Sequence, residues 1–364
     1  MLRTGTANLP LHPGKCPPWL FGRMIKLSKA ITEIIVNEYG QEEFLRRIAD
    51  PYFFQSFACT VGFDWHSSGT TTTLCGALKE ALNKEELGIR IAGGKGKASR
   101  ETPEHIERFS NSLSISTQKM EHLKYASKIT AKVDNNLIQD GYQLYMHAFF
   151  FTEKGRYAVV QQGLCNDNSY ARRYHWLSDN VRTFIEEPHN AICCDKKEEN
   201  VLDLTSKQSK DTRDTSLDLV KDNPKHLEKY FNPKGQKTLF EYSHLTMAPD
   251  HYCLNLSKRS LKFLKQAYEF QPKNYEELVA LKNMGPQTIR ALALISELVY
   301  GTKSSWKDPA RFSFSHGGKD GVPHPVDREL MDNNTEFLKE ALRQSKLGDE
   351  EKLKAVKRLK DFVT

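Results

Sequence analysis

Residues able to do chemistry are densest between positions 131 and 178, in AKVDNNLIQDGYQLYMHAFFFTEKGRYAVVQQGLCNDNSYARRYHWLS. Two runs rich in Phe, Tyr and Val, 142–152 and 156–163, flank Glu153–Lys154–Gly155, which predicts a β-hairpin. If Thr152 pairs with Gly155, His147 lies opposite Val160 and Tyr145 opposite Gln162. Alternation then puts Tyr145, His147 and Gln162 on one face and turns Gln161 away. Strand hydrophobicity explains the Phe and Val residues but not a His, a Tyr and a Gln sharing a face. Asp134 and Asp140 precede the hairpin, and Arg172, Arg173 and His175 follow it. Carboxylate and imidazole groups, with Asp140 and His147 as the ligands, could hold a divalent metal such as Mg or Mn, while the arginines take a phosphate. That is the composition of a nuclease site. A sheet face packed on polar loops, with the arginines solvated, accounts for the same residues and stays open.

A second constellation is NYEELVALKNMGPQTIRALALISELVYG, residues 274–301. Asn274 caps a short helix, with Glu277 three residues on as in a capping box. Asn283–Met284–Gly285 turns sharply, Asn and Gly being residues that accept positive φ. Pro286 opens the next helix where a missing N–H costs nothing. Ile289, Leu292, Leu294, Ile295, Leu298 and Val299 make that helix apolar on most sides. The unpaired amides of Gly285, Gln287 and Thr288, with the helix dipole, form an anion site that fits a phosphate. The segment resembles the helix-hairpin-helix family of DNA repair proteins, whose hairpin reads Gly-hydrophobic-Gly; here Asn283 stands at the first glycine. The resemblance implies contact with the DNA backbone rather than with bases, at Asn283, Gly285, Gln287, Thr288 and the nearby Lys282 and Arg290. Two helices joined by a capped turn with no ligand are the plainer reading.

Three other stretches carry polar groups. Gly93–Arg100 is a basic glycine-rich loop whose Lys95, Lys97 and Arg100 suit a DNA backbone, without the spacing of a nucleotide-binding P-loop. Asp64–Trp65–His66 and Thr70–Thr73 precede a helix and read first as loop and cap. His316–Gly321 is a turn-rich loop suited either to DNA or to domain docking.

The elements that must position these groups indicate an α+β protein. Apolar spacing predicts helices over 25–39, 75–82 and 103–113, the last capped by Thr102 with Pro103 at its first position. With the hairpin they make an N-terminal mixed α/β domain with a β-hairpin-containing sheet, residues 1–195. The polar, mixed-charge run from Lys196 reads as a linker or exposed loop, 196–235. A C-terminal all-helical helix-hairpin-helix domain follows over 236–325. Two amphipathic helices, about 327–346 and 349–363, close the chain, and their apolar faces require a partner in the same chain or in a homo-oligomer.

Among the 364 residues, 27% are charged and 38% hydrophobic, and the net charge is +7, values of an ordinary globular protein able to meet a polyanion. Seven cysteines without a Cys-x-x-Cys pair read as reduced thiols. With no apolar run long enough to span a bilayer and no signal-peptide pattern, a cytoplasmic protein without a membrane partner is expected.

Long phrases from RTGTANLPLHPGKCPPWLFGRM through QDGYQLYMHAFFF and ARRYHWLS to SFSHGGKDGVPHPVDRE resemble a prokaryotic family known as domain of unknown function 763. That resemblance implies a structure-specific DNA nuclease. The residues leave three functions to separate: a metal-dependent DNA endonuclease in repair or processing, a helix-hairpin-helix DNA glycosylase using Asp308 or Asp327, and a DNA-binding scaffold without chemistry.

Overall fold

The computed structural model describes residues 16–63, 68–165, 170–194, 197–223, 226 and 258–310. The readings at Asp64–His66, at His316–Gly321, at Asp327 and at the two closing helices lie outside the described residues.

The protein is a mixed α/β fold around one antiparallel sheet. Four helices come first: α1 (Pro18–Tyr39), α2 (Gln41–Ala49), α3 (Pro51–Thr60) and α4 (Ser68–Leu82). Pro51 follows Asp50, whose carboxylate accepts the amides of Tyr52 and Phe53 and so starts α3. Strand β1 (Ile89–Lys95), the short α5 (Lys97–Arg100), α6 (Thr102–Ser112) and α7 (Thr117–Asn136) lead to β2 (Ile138–Gln139). Thr102 does not cap α6 as its position before Pro103 suggests; it is the helix's first residue, and its hydroxyl donates to the Ser99 carbonyl of the preceding turn. Then come β3 (Gln143–Thr152), β4 (Tyr157–Cys165), β5 (Tyr170–Leu177), β6 (Ala191–Cys193) and β7 (Leu202–Asp203). The main sheet runs β1-β3-β4-β5-β6, with every neighbour antiparallel, and β2 pairs with β7 beside it.

Each face of the sheet carries its own core. Ile89, Ile91, Ala148, Phe150, Ala158 and Val160 pack against α1–α4. Ala92, Phe149, Phe151, Tyr157, Val159 and Trp176 pack on the other side, against α6, α7 and the chain that follows β7. The strands therefore read as nearly continuous apolar runs, as expected where both faces are covered.

The run 196–221, whose composition predicts an exposed linker, is structured from 201 onward. Val201, Leu202 and Leu204 are fully buried, and α8 (Lys210–Lys221) turns Thr212, Arg213, Ser216, Leu219 and Val220 inward. Three of those five are polar, so the helical stripe is hidden from a hydrophobicity count. Arg213 is tolerated because its guanidinium donates to the carbonyls of Leu204 and Ser206 and to Glu186. Beyond it lie α9 (Lys258–Phe270), α10 (Tyr275–Ala280) and α11 (Pro286–Tyr300). Leu278, Ile289, Leu292 and Ile295 belong to the same apolar cluster as Ile129, Val159 and Trp176. These helices therefore pack into the same apolar cluster as one face of the sheet. Among the described residues no helix is long and apolar enough to cross a membrane.

Candidate functional site

The β3–β4 register decides which polar groups meet. Thr152 N–H donates to the Arg156 carbonyl at 3.0 Å, and Gly155, at φ +83°, donates back to Thr152. The loop is thus three residues long, with glycine in the left-handed position such loops require. His147 consequently faces Gln161, and Met146 faces Gln162. This is one residue away from the Thr152–Gly155 pairing read from the sequence, and a one-residue slip exchanges faces. Gln161, expected to point away, is the partner of His147. Gln162 lies on the other face, and the irregularity between Leu144 and Met146 lets Tyr145 join it there.

On the His147 face a buried hydrogen-bond chain forms. Ser127 Oγ of α7 lies 2.9 Å from His147 Nε2, and His147 Nδ1 lies 2.8 Å from Gln161 Oε1. Gln161 Nε2 donates to Asp134 at 2.6 Å. Asp134 also accepts from the indole of Trp176 at 3.1 Å and meets His189 Nε2. The indole N–H can only donate, which marks the Asp134 oxygen it shares with Gln161 as an acceptor. That turns the Gln161 amide nitrogen to Asp134 and its oxygen to His147. Nδ1 of His147 must then carry the proton, leaving Nε2 to accept from the Ser127 hydroxyl. Burial lowers His147 to a pKa of about 4, so the ring is neutral at neutral pH, and burial raises the Asp134 carboxyl. Gly93 of β1 fixes the far side: at φ +85° it lies so close that a Cβ there would sit 2.1 Å from the His147 carbonyl oxygen.

The remaining residues of the expected cluster do not converge on this chain. Gln162 donates to the Ser68 carbonyl and to Tyr145. Arg173 stacks over Phe54 at 4.7 Å, and His175 Nδ1 faces the Ile48 carbonyl against α2 and α3. Burial holds His175 well below its ordinary pKa. Asp140 accepts from Arg172 at 2.9 Å, from Tyr174 at 2.8 Å and from the Tyr142 amide. Arg172 also makes a two-pronged contact with Asp308, at 3.0 and 2.7 Å. Asp308, weighed as a glycosylase aspartate, is thus an anchor that ties the chain after α11 to the sheet.

The residues present do not fit a divalent metal bridging Asp140 and His147. Both ring nitrogens of His147 are engaged, Asp140 sits against the fully buried cation Arg172, and the two share no hydrogen-bond partner. Among the described residues no group of three or more His, Cys, Asp or Glu is placed to hold a metal ion.

Between α10 and α11 the chain makes the tight turn read from the sequence. Asn274 caps α10 by accepting the Glu277 amide at 2.8 Å. Positive φ falls on Asn283, at +71°, and not on Gly285, which is the N-cap of α11 at φ −116°. The hairpin's carbonyls are held by α7 and β2: Lys132 of α7 donates to Val279 and Leu281, Asn136 of α7 to Met284, and Gln139 of β2 to Pro286. Burial brings Lys132 down to a pKa of about 8. Lys282, Asn283 and Gln287 are exposed, while Thr288 is buried and Arg290 half-buried.

These parts meet at a cleft of about 680 Å³. Its walls come from the α5–α6 turn, α7 and the α10–α11 hairpin; its floor holds Ser127, His147 and Gln161. Four cations line it, Arg100, Lys128, Lys132 and Lys282, and no carboxylate is among its described lining residues. Of the glycine-rich loop Ser99 and Arg100 line the cleft, and Lys95 and Lys97 do not. Lys97 pairs with Glu101 at 3.3 Å, and Lys95 lies over the Tyr145 ring. Sequence reading missed Ser127, Gln161, His189, Lys128 and Lys132. The register hid Gln161, and nothing in helical spacing marks Ser127 or Lys128 apart from any amphipathic helix.

The model of the family described as "Protein of unknown function (DUF763)" matches residues 5–326. The chain belongs to that family. No curated protein and no solved structure matches it.

Proposed function

We propose that this member of the family binds DNA by its sugar-phosphate backbone, in the cleft between the α5–α6 turn, α7 and the α10–α11 hairpin. The observation that carries the reading is the lining: four cations from three separate parts of the chain and no carboxylate. A small anion would need one or two of those charges, whereas a row of phosphates can use Arg100, Lys128 and Lys282 together, Lys132 being held by the Val279 and Leu281 carbonyls. The hairpin adds a second anion-seeking surface on the same rim, because the first amides of α11 have no partner within the helix. Contacts of this kind position a strand without specifying its sequence. Of the carboxylates on which the enzymatic readings lean, Asp140 and Asp308 are both engaged by Arg172. Backbone binding requires neither.

The test is fluorescence anisotropy with a labelled duplex of random sequence. Lys128→Glu and Lys282→Glu should each weaken binding by roughly tenfold, as expected when a backbone contact turns repulsive. Lys210→Glu, on the exposed side of α8 where Lys210 pairs with Asp214, should leave it unchanged. Wild-type affinity in both cleft variants would remove the cleft from consideration.

A further inference from the structure

The floor of the cleft has more chemistry than binding requires. Ser127 sits in the middle of α7, where a serine hydroxyl ordinarily bonds back to the carbonyl one turn earlier. Other helical hydroxyls of this chain do so: Ser56 to Tyr52, Thr60 to Ser56 and Ser296 to Leu292. Ser127 instead points across to the imidazole of His147 at 2.9 Å. The imidazole is held by Gln161, and Gln161 by Asp134, so the acceptor nitrogen facing Ser127 is fixed by three successive hydrogen bonds. Serine, an oriented neutral imidazole and a polar group behind it are the parts of an activated nucleophile. Ser127, His147 and Gln161 all line the cleft, and Ala131, one turn along from Ser127, leaves room above it.

We propose that Ser127 is a nucleophile toward phosphodiesters, with His147 as its general base and Gln161 and Asp134 as positioning residues. The inference rests on the reading of the cleft as a phosphate-backbone site, which supplies the substrate class. In the first step the Ser127 proton passes to His147 Nε2, the Ser127 Oγ–P bond forms and the bond from phosphorus to the leaving oxygen breaks. The imidazolium returns its proton to that oxygen. In the second step water gives a proton to His147 and its oxygen bonds to phosphorus, the Oγ–P bond breaks, and Ser127 takes the proton back. The cleft cations offset the charge that gathers on the phosphoryl oxygens in both steps. The imidazolium formed midway is otherwise disfavoured in so buried a place; the Gln161 amide, polarised by Asp134, is what faces it.

The experiment uses the full chain with bis(4-nitrophenyl) phosphate in EDTA, so that the chemistry is read apart from DNA binding, while anisotropy on the same samples reads duplex affinity. Expected are release of 4-nitrophenolate and, by peptide mass spectrometry after an acid quench, a phosphoryl adduct on Ser127. Ser127→Ala and His147→Gln should each lower the rate at least ~100-fold while duplex affinity persists. Gln161→Leu should shift the acid limb of the pH–rate profile, because that limb reports His147; an unmoved limb would make Gln161 structural only. Absence of both product and adduct in the wild type overturns the proposal, as does turnover that survives Ser127→Ala. Should that variant fail to fold, the site of the wild-type adduct decides. Loss of duplex binding with chemistry intact would instead strike at the proposed function.

Discussion

Arg172 lies in a buried ion cluster with Asp140 and Asp308. Placed next to Arg173 and downstream of two aspartates, it invites a role in holding a substrate phosphate. In the fold its guanidinium is buried and engaged by Asp140 and Asp308, with the Tyr174 hydroxyl on the same Asp140 oxygen. Removing one member of such a cluster strands a charge in a low-dielectric interior, which costs about 3–5 kcal/mol. Asp140→Ala should therefore lower the free energy of unfolding by roughly that much, read from urea titration, and any loss of activity should follow from the loss of fold. A variant of native stability would mean that the ion pair is not the anchor described. Neighbouring arginines on a strand point to opposite faces, so Arg172 and Arg173 never formed a pair. That much was legible once the strand was recognised; which of the two would meet an aspartate was not.

Element types were the legible part of the fold. The β-hairpin and the α10–α11 pair form where apolar spacing and turn residues place them; the helices ending at Tyr39 and Leu82 stop where expected but begin earlier, at Pro18 and Ser68, so Thr70–Thr73 lie inside α4 and not in a loop before it. The face assignment failed because it hung on the length of one loop: Glu153–Gly155 closes with three residues, and that single step moves Gln161 to His147 and takes Gln162 away. The second turn gave a subtler lesson. Asn283–Met284–Gly285 was recognised as a tight turn, but glycine is not where the positive φ lies. At Gly285 an added Cβ meets only the Asn283 carbonyl oxygen at 4.0 Å, whereas Asn283 is at φ +71°. Gly285→Ala should therefore leave stability and duplex affinity near wild type. Asn283→Val should cost about 1–3 kcal/mol through backbone strain and weaken duplex binding by distorting the rim. Melting temperatures and anisotropy on the two variants check this, and the opposite ranking would contradict the turn geometry.

At the scale of the whole molecule, composition misled where it was used to read the run after Lys196 as an exposed loop. The run is polar, yet α8 buries hydroxyls and an arginine held by two carbonyls and Glu186, and the helices beyond it join the apolar cluster on one face of the sheet. One consequence is functional: α7 packs on the sheet on one side and holds the α10–α11 turn on the other, so the cleft floor and its rim are fixed to the same helix. A rim and floor held so closely would not be expected from two domains joined by a loop. Whether this cleft takes the phosphates of a DNA backbone is read from the salt dependence of duplex affinity in wild type and in the triple variant Arg100→Ala, Lys128→Ala, Lys282→Ala. Each phosphate contact contributes a slope of about −0.9 to log K against log salt. The triple variant should bind more weakly and show a slope shallower by roughly 2–3, with little change between duplex sequences. An unchanged slope and affinity in a folded triple variant would contradict the claim.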